Sequence, residues 1–308
     1  MSTPLTAVSR ATSAADQASD AAAARAGVQV RMLTELSELD GVYNLYDSIW
    51  RPDPKNPPVT TELLRALTKA GNYVSGAYDG DELVGACVGF FSAPAEVAMH
   101  SHVAGVSTAA RGRNVGFALK LHQRAWALQR GVTAISWTFD PLIRRNAYFN
   151  LVKLAAHPAE YLTNFYGGMH DSINNGDDTD RLLVRWDLDT PAVAAAAAHQ
   201  ATTLSATNLP NATIALGRTD DDHPLLPAAS PSGVPPSPGA SLSPGDEVLL
   251  VAVPADVERL RQTDPAVAKS WRSALREVLG GLLSDGAQVT GFDRTGWYVL
   301  EPPPRGLT

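Results

Sequence analysis

The sequence of 308 residues carries 25 basic and 32 acidic side chains and is 44% hydrophobic. The net charge of −7, with no basic face along the chain, argues against a nucleic-acid binder, because phosphate contacts need such a face. The single cysteine, Cys87, excludes an internal disulfide framework and a cysteine-rich zinc site.

The N-terminal region predicts neither a membrane span nor an export signal. No apolar run approaches the ~20 residues that cross a bilayer, and the first residues lack the continuous apolar stretch of a secretory signal. Residues 1–26 are rich in Ala, Ser and Thr, and their low apolar content predicts a disordered tail. We therefore expect a cytoplasmic protein with no membrane partner.

Hydrophobic periodicity predicts one α/β domain between residues 27 and 188. Its expected elements are a strand at 28–33, helices at 37–50 and 60–70, a hairpin at 72–92, a strand at 100–107, a helix from 115, a strand at 133–140, a helix at 144–156, and strands at 160–166 and 181–188. The turn Asp79-Gly80-Asp81 marks the hairpin.

The composition changes after this domain. Residues 189–245 hold an Ala-rich run and a Pro/Ser/Gly tract, which predict a low-complexity linker with one edge strand in "NATIALG". Residues 246–308 return to alternating and helical patterns, and predict a small β-α-β-β segment. About sixty residues is small for an independent domain, so we expect this segment to pack on the first domain.

The junction between the strand ending at Ser107 and the next helix has the character of an anion site. Gly112 and Gly116 let the backbone approach a ligand closely, and Arg111 and Arg113 add positive charge. The first amides of a helix have no partner inside it, and its dipole adds about half a positive charge there. The junction therefore predicts a phosphate or pyrophosphate cradle. An ordinary loop with two solvated arginines is the alternative.

The same residues resemble the signature of the GNAT (Gcn5-related) acyltransferases, R/Q-x-x-G-x-G/A, which binds the pyrophosphate of acyl-coenzyme A. Here the signature reads Arg111 to Gly116, with Asn114 where the family usually has glycine. Asn tolerates the left-handed backbone well, so this departure is mild. A second register, Arg113 to Ala118, also fits the pattern.

The resemblance covers residues 28–188. The segments "WTFDPLIRRNAYFNLVKLAA" and "TNFYGGMHDSINNGDDTDRLLVRW" are similar to a less-studied predicted-acetyltransferase subgroup of the family. The resemblance implies the GNAT fold, a mixed and mostly antiparallel sheet flanked by helices. It also implies that the fourth strand splays from the fifth and that the coenzyme lies in the gap. The implied cofactor-binding residues are Val106, Arg111, Gly112, Arg113, Asn114, Val115, Gly116, Phe117 and Asn146.

Many family members use a tyrosine to protonate the leaving thiolate. Aligning Lys153-Leu154-Ala155 with the common K-L-G of the family puts Leu151 at that position. Tyr148 lies one helical turn earlier and is the substitute candidate for a catalytic acid; it could equally be a packed aromatic residue.

Candidates for the general base lie near the fourth strand and after the fifth: Glu96, His100, His102 and Asp140. His102 has a suitable ordinary pKa and lies near the expected splay, although a strand histidine facing outward is the simpler reading. His100 and His102 do not make a metal site, because no convincing third ligand accompanies them. No metal is expected.

Arginines after the fifth strand and before the last one could hold an acceptor carboxylate. Arg144 and Arg181 are the substrate-binding candidates, with Arg145 as a further possibility. The alternative is that these arginines are surface residues paired to Asp177, Asp178 and Asp180.

The resemblance implies an N-acyltransferase that uses acetyl-CoA or another acyl-CoA, such as succinyl-CoA, and acts on the amine of a small metabolite such as an amino acid. A non-catalytic acyl-CoA binder with a partner-binding C-terminal segment is the alternative, and protein-lysine acetylation is a third option. The expected partner is the small amine acceptor, and a homodimer stays open.

Overall fold

The computed structural model describes residues 4–52, 57–167, 177–200, 205–206, 209, 212–227 and 248–302. The chain divides into two compact units, residues 1–137 with 186–200, and residues 138–185 with 201–308. The domain boundaries expected after residues 26, 188 and 245 do not coincide with this division.

The described residues form both helices and strands. The helices are α1 (Pro4–Ala26), α2 (Leu36–Trp50), α3 (Thr61–Lys69), α4 (Val115–Leu128), α5 (Arg144–Ala147), α6 (Pro191–Ala197), α7 (Val257–Thr263), α8 (Pro265–Leu275) and α9 (Gly281–Ser284). The strands are β1 (Gln29–Met32), β2 (Tyr73–Asp79), β3 (Glu82–Phe91), β4 (Ala98–Val106), β5 (Ala134–Phe139), β6 (His157–Leu162), β7 (Arg181–Asp187), β8 (Ala212–Arg218), β9 (Pro224–Leu225), β10 (Val248–Ala252), β11 (Gln288–Asp293) and β12 (Trp297–Glu301).

The larger sheet has the strand order β1-β2-β3-β4-β5-β7-β6. Strands β1 to β4 pair antiparallel with one another, as β6 does with β7, whereas β4 pairs parallel with β5. The sheet is therefore mixed and mostly antiparallel, which confirms the fold class expected from the sequence.

Helices cover both faces of this sheet in the first unit. A Cβ added at Gly85 on β3 would meet Leu119 and Val115 of α4, whereas one added at Gly105 on β4 would meet Trp50 and Ile49 of α2. Gly85 pairs with Val106 and the next residue pairs with Gly105. Because successive residues of a strand point to opposite faces, α4 and α2 lie on opposite sides of the sheet.

The N-terminal region is helical, and the expectation of a disordered tail is wrong for the residues that the structure describes. The alanine-rich helix α1 buries Ala15, Ser19, Ala22 and Ala26, which follow one another at intervals of four, three and four residues. This small-residue stripe lets α1 pack closely on α4, and Gln129 donates a hydrogen bond of 2.8 Å to Asp16. Sequence reasoning discounted alanine as an apolar residue, although alanine has the highest helix propensity.

Residues 191–197 of the expected linker also form a helix. Thr190 caps α6 by accepting a hydrogen bond from the Val193 amide, and Pro191 occupies the first helical position. Most of the Pro/Ser/Gly tract lies outside the described residues.

The second unit contains a separate sheet with the order β11-β12-β10-β8-β9. The expected edge strand in "NATIALG" is β8, but it lies between β10 and β9 and is therefore not at the edge. The expected helix at 265–283 is α8, a π-helical turn at Arg276–Gly280, and α9, preceded by the additional helix α7.

Candidate functional site

The turn between β4 and α4 is built on left-handed backbone. After β4 a 3₁₀ turn at Thr108–Ala110 leads into residues 111–114. Gly112 has φ +82° and Asn114 has φ +62°, both in the left-handed region. Asn114 thus adopts the conformation for which the family commonly uses glycine, as the sequence led us to expect.

The N-terminus of α4 leaves its first amides available. Asn114 is the N-cap residue and makes no side-chain capping hydrogen bond. The amides of Val115 and Gly116 therefore have no partner inside the helix, and the 14-residue helix adds its dipole at this point. Arg111 is exposed beside them. The arrangement suits a diphosphate.

Arg113 has other partners. Its guanidinium donates to the carbonyl oxygens of Ala26 and Gly27 at 3.2 Å each, and to Asp79 Oδ2 at 2.6 Å. These acceptors lie at the C-terminal end of α1 and at the β2–β3 turn. The sequence predicted that Arg113 binds the phosphates directly, whereas in the structure its side chain binds the end of α1 and Asp79.

Three residues around the turn leave room for a coenzyme. A Cβ added at Gly112 would meet nothing within 4 Å, and one added at Gly116 would meet only Val106, at 3.7 Å. The hydroxyl of Ser107, directly after β4, is buried and has no hydrogen-bond partner among the described residues. An unsatisfied buried hydroxyl is costly, and a ligand lying along the end of β4 would satisfy it. Phe117 is instead buried against His199, with 5.1 Å between ring centres.

The strands β4 and β5 diverge. Their parallel pairing covers only Ala98 to His100 and Ala134 to Ser136, and the rest of β4 pairs with β3 alone among the described residues. Such a fork leaves backbone groups of β4 free to bind an extended ligand. This is the splay that the family resemblance implied.

His102 is the extra residue of a β-bulge on β4. On the β3 side, Val88 pairs with Val103 and Gly89 with Ser101, so His102 has no partner in the ladder. A bulge redirects a side chain and is common next to active sites. His102 is exposed two residues past the last pair with β5, so it faces solvent next to the fork.

His100 is less suited to take a proton. It is half-buried, with 5.2 Å between its ring centre and that of Phe90. Burial, together with the neighbouring charges of His102 and Lys120, lowers the pKa of His100 to about 4. Glu96 is exposed in a 3₁₀ turn before β4.

Lys120 lies under the fork and was not singled out by the sequence. Its ammonium donates to Ser101 Oγ at 3.1 Å and to Gln123 Oε1 at 2.8 Å, and lies 3.7 Å from the ring centre of Trp137. Ser101 and Trp137 each directly follow the last β4–β5 pair. No carboxylate of the described residues forms an ion pair with Lys120, and burial lowers its pKa to about 8.

The remaining coenzyme candidates belong to the second unit. Tyr148 opens the π-helical turn Tyr148–Lys153, and its ring is half-buried, with the Arg294 guanidinium 5.6 Å from the ring centre. Asn146 is half-buried in α5. The π turn is wider than an α turn, so Tyr148 and Leu151 share a face less closely than the expected α-helix implied.

Ala155 supports the alignment that puts Leu151 at the position of the family tyrosine. It has φ +53°, so the position where the family has glycine keeps a left-handed backbone here. Leu151 itself is buried.

Of the two arginines predicted to bind substrate, Arg144 donates to the carbonyl oxygen of Thr295 at 3.4 Å. Arg181 is buried rather than exposed; its guanidinium donates to the Asp180 carbonyl oxygen at 2.9 Å and lies 5.2 Å from the Tyr166 ring centre. Arg145 pairs with Glu258.

The acidic residues directly after β5 and directly before β7 pair with arginines of the C-terminal segment. Asp140 and Asp177 are buried between Arg261 and Arg272, while Asp178 and Asp180 pair with Arg276. No local sequence signal could reveal these pairs, because the partners are 84 to 132 residues apart along the chain.

Neither a membrane segment nor a metal cluster emerges from the described ranges. Among their helices, none combines the length and apolarity that a bilayer span needs. The same ranges hold no group of three or more His, Cys, Asp or Glu side chains arranged to bind a metal ion.

Comparisons with solved structures return acetyltransferases at low identity. The ribosomal-protein-S18-alanine N-acetyltransferase of Escherichia coli shares 11% identity over 53% of this chain and 95% of its own, with a TM-score of 0.42. A ribosomal-protein-alanine N-acetyltransferase from Brucella melitensis shares 18% over 51% and 98%, with a TM-score of 0.42. The yncA protein of Salmonella typhimurium, whose structure includes its cofactor acetyl-CoA, shares 15% over 54% and 96%, with a TM-score of 0.43.

A search of curated proteins found no significant match. The sequence model of the acetyltransferase (GNAT) domain matches residues 9–148, which include most of α1, the fork, the β4–α4 turn and α4. This part of the chain therefore has the sequence pattern of a GNAT acetyltransferase domain.

Proposed function

We propose that the chain is an acyl-CoA-dependent N-acyltransferase that transfers an acetyl or succinyl group directly to the amine of a small metabolite such as an amino acid. The observation that carries this proposal is the geometry of β4. One end of the strand leads into the open N-terminus of α4, and the middle of the strand separates from β5. One extended ligand with a diphosphate at one end and a thioester at the other fits both features.

The residues of the turn would hold the coenzyme. The amides from Gly112 to Gly116 and the charge of Arg111 would bind the diphosphate. Main-chain groups around Val106 and the buried hydroxyl of Ser107 would bind the arm that runs along β4. Acyl-coenzyme A supplies the activated thioester carbonyl, and no metal is required for this chemistry.

His102 is the residue best placed to accept the proton of the acceptor amine. The amine nitrogen attacks the thioester carbonyl, the new C–N bond forms as the C–S bond breaks, and the thiolate takes up a proton as it leaves. A base within one water of the amine contributes about 10²- to 10⁴-fold to such a step. Tyr148 remains the proposed acid, Asn146 a proposed coenzyme contact, and Arg144 and Arg181 proposed acceptor contacts.

The first experiment tests the cradle. Arg111→Glu with Gly116→Asp places two carboxylates where the diphosphate would lie, and should raise the dissociation constant of coenzyme A at least tenfold, or about 1.4 kcal/mol. Lys69→Glu is the control, because it reverses one charge at an exposed residue in the last turn of α3. Calorimetry that shows unchanged affinity in a folded double variant would contradict the proposed cradle.

The second experiment identifies the base. His102→Gln should lower kcat about 10²- to 10⁴-fold while leaving coenzyme A affinity unchanged. Glu96→Gln is the comparison, because Glu96 is another candidate base of the first unit and lies before β4 rather than on the bulge. If Glu96→Gln alone lowers kcat, the assignment to His102 is wrong.

A non-catalytic acyl-CoA binder is the second candidate, and the burial of Leu151 at the tyrosine position favours it. Release of free thiol from acetyl-CoA and succinyl-CoA, measured across a panel of small amines and amino acids, separates the two. Tight binding of both donors without turnover on any amine would support the binder and exclude the enzyme.

A further inference from the structure

Arg113 lies in the β4–α4 turn, yet its side chain leaves the turn. It follows Gly112 and precedes Asn114, the two left-handed residues that reverse the chain before α4. Its guanidinium makes three hydrogen bonds away from the amides that would bind a diphosphate: to the carbonyl oxygens of Ala26 and Gly27 and to Asp79.

The end of α1 is shaped to receive a cation. Gly27 has φ +65° and ends the helix: its amide donates to the carbonyl oxygen of Ala24, and the Val28 amide to that of Ala23. The last carbonyls of α1 carry the negative end of the helix dipole, which favours a guanidinium. A Cβ at Gly27 would come within 3.3 Å of Arg113 Nη2, so the backbone of α1 lies directly against it.

Asp79 completes the arrangement from the β2–β3 turn. Its carboxylate forms an ion pair of 2.6 Å with Arg113, and both side chains are partly exposed, at 46% and 38%. Exposed ion pairs contribute little to folding stability. The pair therefore matters for where it holds the turn rather than for the stability of the unit.

We infer that Arg113 is a positioning residue, through which the C-terminal end of α1 and Asp79 hold the β4–α4 turn in the conformation that binds the diphosphate of the donor. This inference rests on the proposed function, and it adds that the N-terminal helix belongs to the donor site although it contributes no side chain to the ligand. The carbonyl acceptors fix the guanidinium, and the guanidinium fixes the backbone between Gly112 and Asn114.

The Asp79→Asn variant distinguishes positioning from direct phosphate contact, because the two roles predict opposite changes in the affinity for coenzyme A. If Arg113 bound the diphosphate itself, Asp79→Asn would free the guanidinium, remove a nearby negative charge, and tighten coenzyme A binding. If Arg113 positions the turn, Asp79→Asn weakens binding about two- to fivefold, the range that an exposed ion pair supports. Asp81→Asn is the matched control, because Asp81 is exposed in the same turn.

Steady-state kinetics and a cycle with Arg113→Met complete the test. The KM for the acyl donor should rise in Asp79→Asn and Arg113→Met, while kcat at saturating donor and the KM for the amine stay at the wild-type values. The double variant should be no weaker than Arg113→Met alone, because both changes act through one side chain. Tighter binding in Asp79→Asn, or additive losses, would overturn the inference.

Hydrogen exchange without ligand keeps this test separate from the proposed function. Amides 112–117 of the full-length chain should exchange faster in Asp79→Asn and Arg113→Met than in wild type and Asp81→Asn. If the wild-type protein bound no acyl-CoA, the proposed function would be wrong, but the exchange data would still test whether Arg113 positions the turn. Unchanged exchange in both variants would refute that role.

Discussion

The buried ion network of the second unit gives the sharpest stability prediction. Arg272 donates two hydrogen bonds of 2.9 Å to Asp140, and its Nη2 also donates to Asp177 at 3.0 Å. Arg261 contacts the same two carboxylates from the other side, at 2.5 and 3.1 Å. The two arginines and two aspartates sum to zero charge, and all four side chains are almost completely buried.

Arg272→Met leaves two buried carboxylates facing one guanidinium. The pKa of Asp140 is held well below its usual range: burial would raise it, but its pairing with Arg272 and Arg261 outweighs burial. Removing one partner of a buried ion pair costs about 3–5 kcal/mol, because the charge that remains has lost its compensation. The matched control is Arg145→Met, which removes an arginine 65% exposed and paired to Glu258 in the same unit. Exposed pairs contribute at most about 1 kcal/mol.

Urea unfolding, followed by tryptophan fluorescence and circular dichroism, measures both variants. Arg272→Met should lower the free energy of unfolding by about 3–5 kcal/mol, and Arg272→Met with Asp140→Asn should lose less than the sum of the single changes, because the double variant restores neutrality. If Arg272→Met were no more destabilising than Arg145→Met, the network would not be buried from water as the structure describes.

Three other predictions follow from single residues. Burial lowers the pKa of Lys120, so between pH 8 and pH 10.5 the unfolded chain binds more protons than the folded chain, and the free energy of unfolding should rise with pH by up to about 3 kcal/mol relative to Lys120→Met in matched urea titrations. A difference between the two proteins that does not change with pH would contradict this. The raised pKa of Cys87 lowers the free energy of unfolding as pH rises, but it does so in both proteins. The lowered pKa of His100 predicts stability that is lost as pH falls from 6.5 towards 4, and His100→Gln should unfold less readily in acid than wild type over that window. Ala155→Gly should raise stability by about 0.5–1 kcal/mol in thermal unfolding, because a left-handed alanine costs more than the chain entropy of glycine; a destabilised variant would refute the reasoning.

Local patterns predicted most of the first unit. The alternation of "NYVSGAYDGDELVGACVGFFS" and its Asp-Gly turn fix β2 and β3, because period-two burial and turn chemistry are both local properties. The β4–α4 turn was predictable for the same reason, since glycine and asparagine mark left-handed backbone wherever they occur. The open amides at this turn were predictable as well, because the first amides of any helix have no partner inside the helix.

Features that depend on distant partners could not be predicted. Lys120 was placed on a second face of α4, and only its contacts with Ser101 on β4 and Trp137 on β5 show that this side chain is buried. The packing of α1 on α4 likewise shows that the alanine-rich N-terminal region is helical and not a disordered tail. The network at Arg272 joins residues 84 to 132 positions apart, and a charged residue in a sequence does not reveal which opposite charge it meets.

Two positions adopt left-handed backbone although neither holds glycine, the residue for which this geometry is inexpensive. Asn114 and Ala155 stand where the family patterns have glycine, and both keep φ values near +60°, at 62° and 53°. An asparagine tolerates this conformation, whereas an alanine costs about 1–2 kcal/mol. Strained backbone persists only where the surrounding structure determines it. The surroundings are the open N-terminus of α4 in one case and, in the other, the end of a π-helical turn closed by hydrogen bonds of 3.0 Å from the Leu154 and Ala156 amides. The geometry of these two turns is therefore held by the surrounding structure and not by the residue types at the two positions.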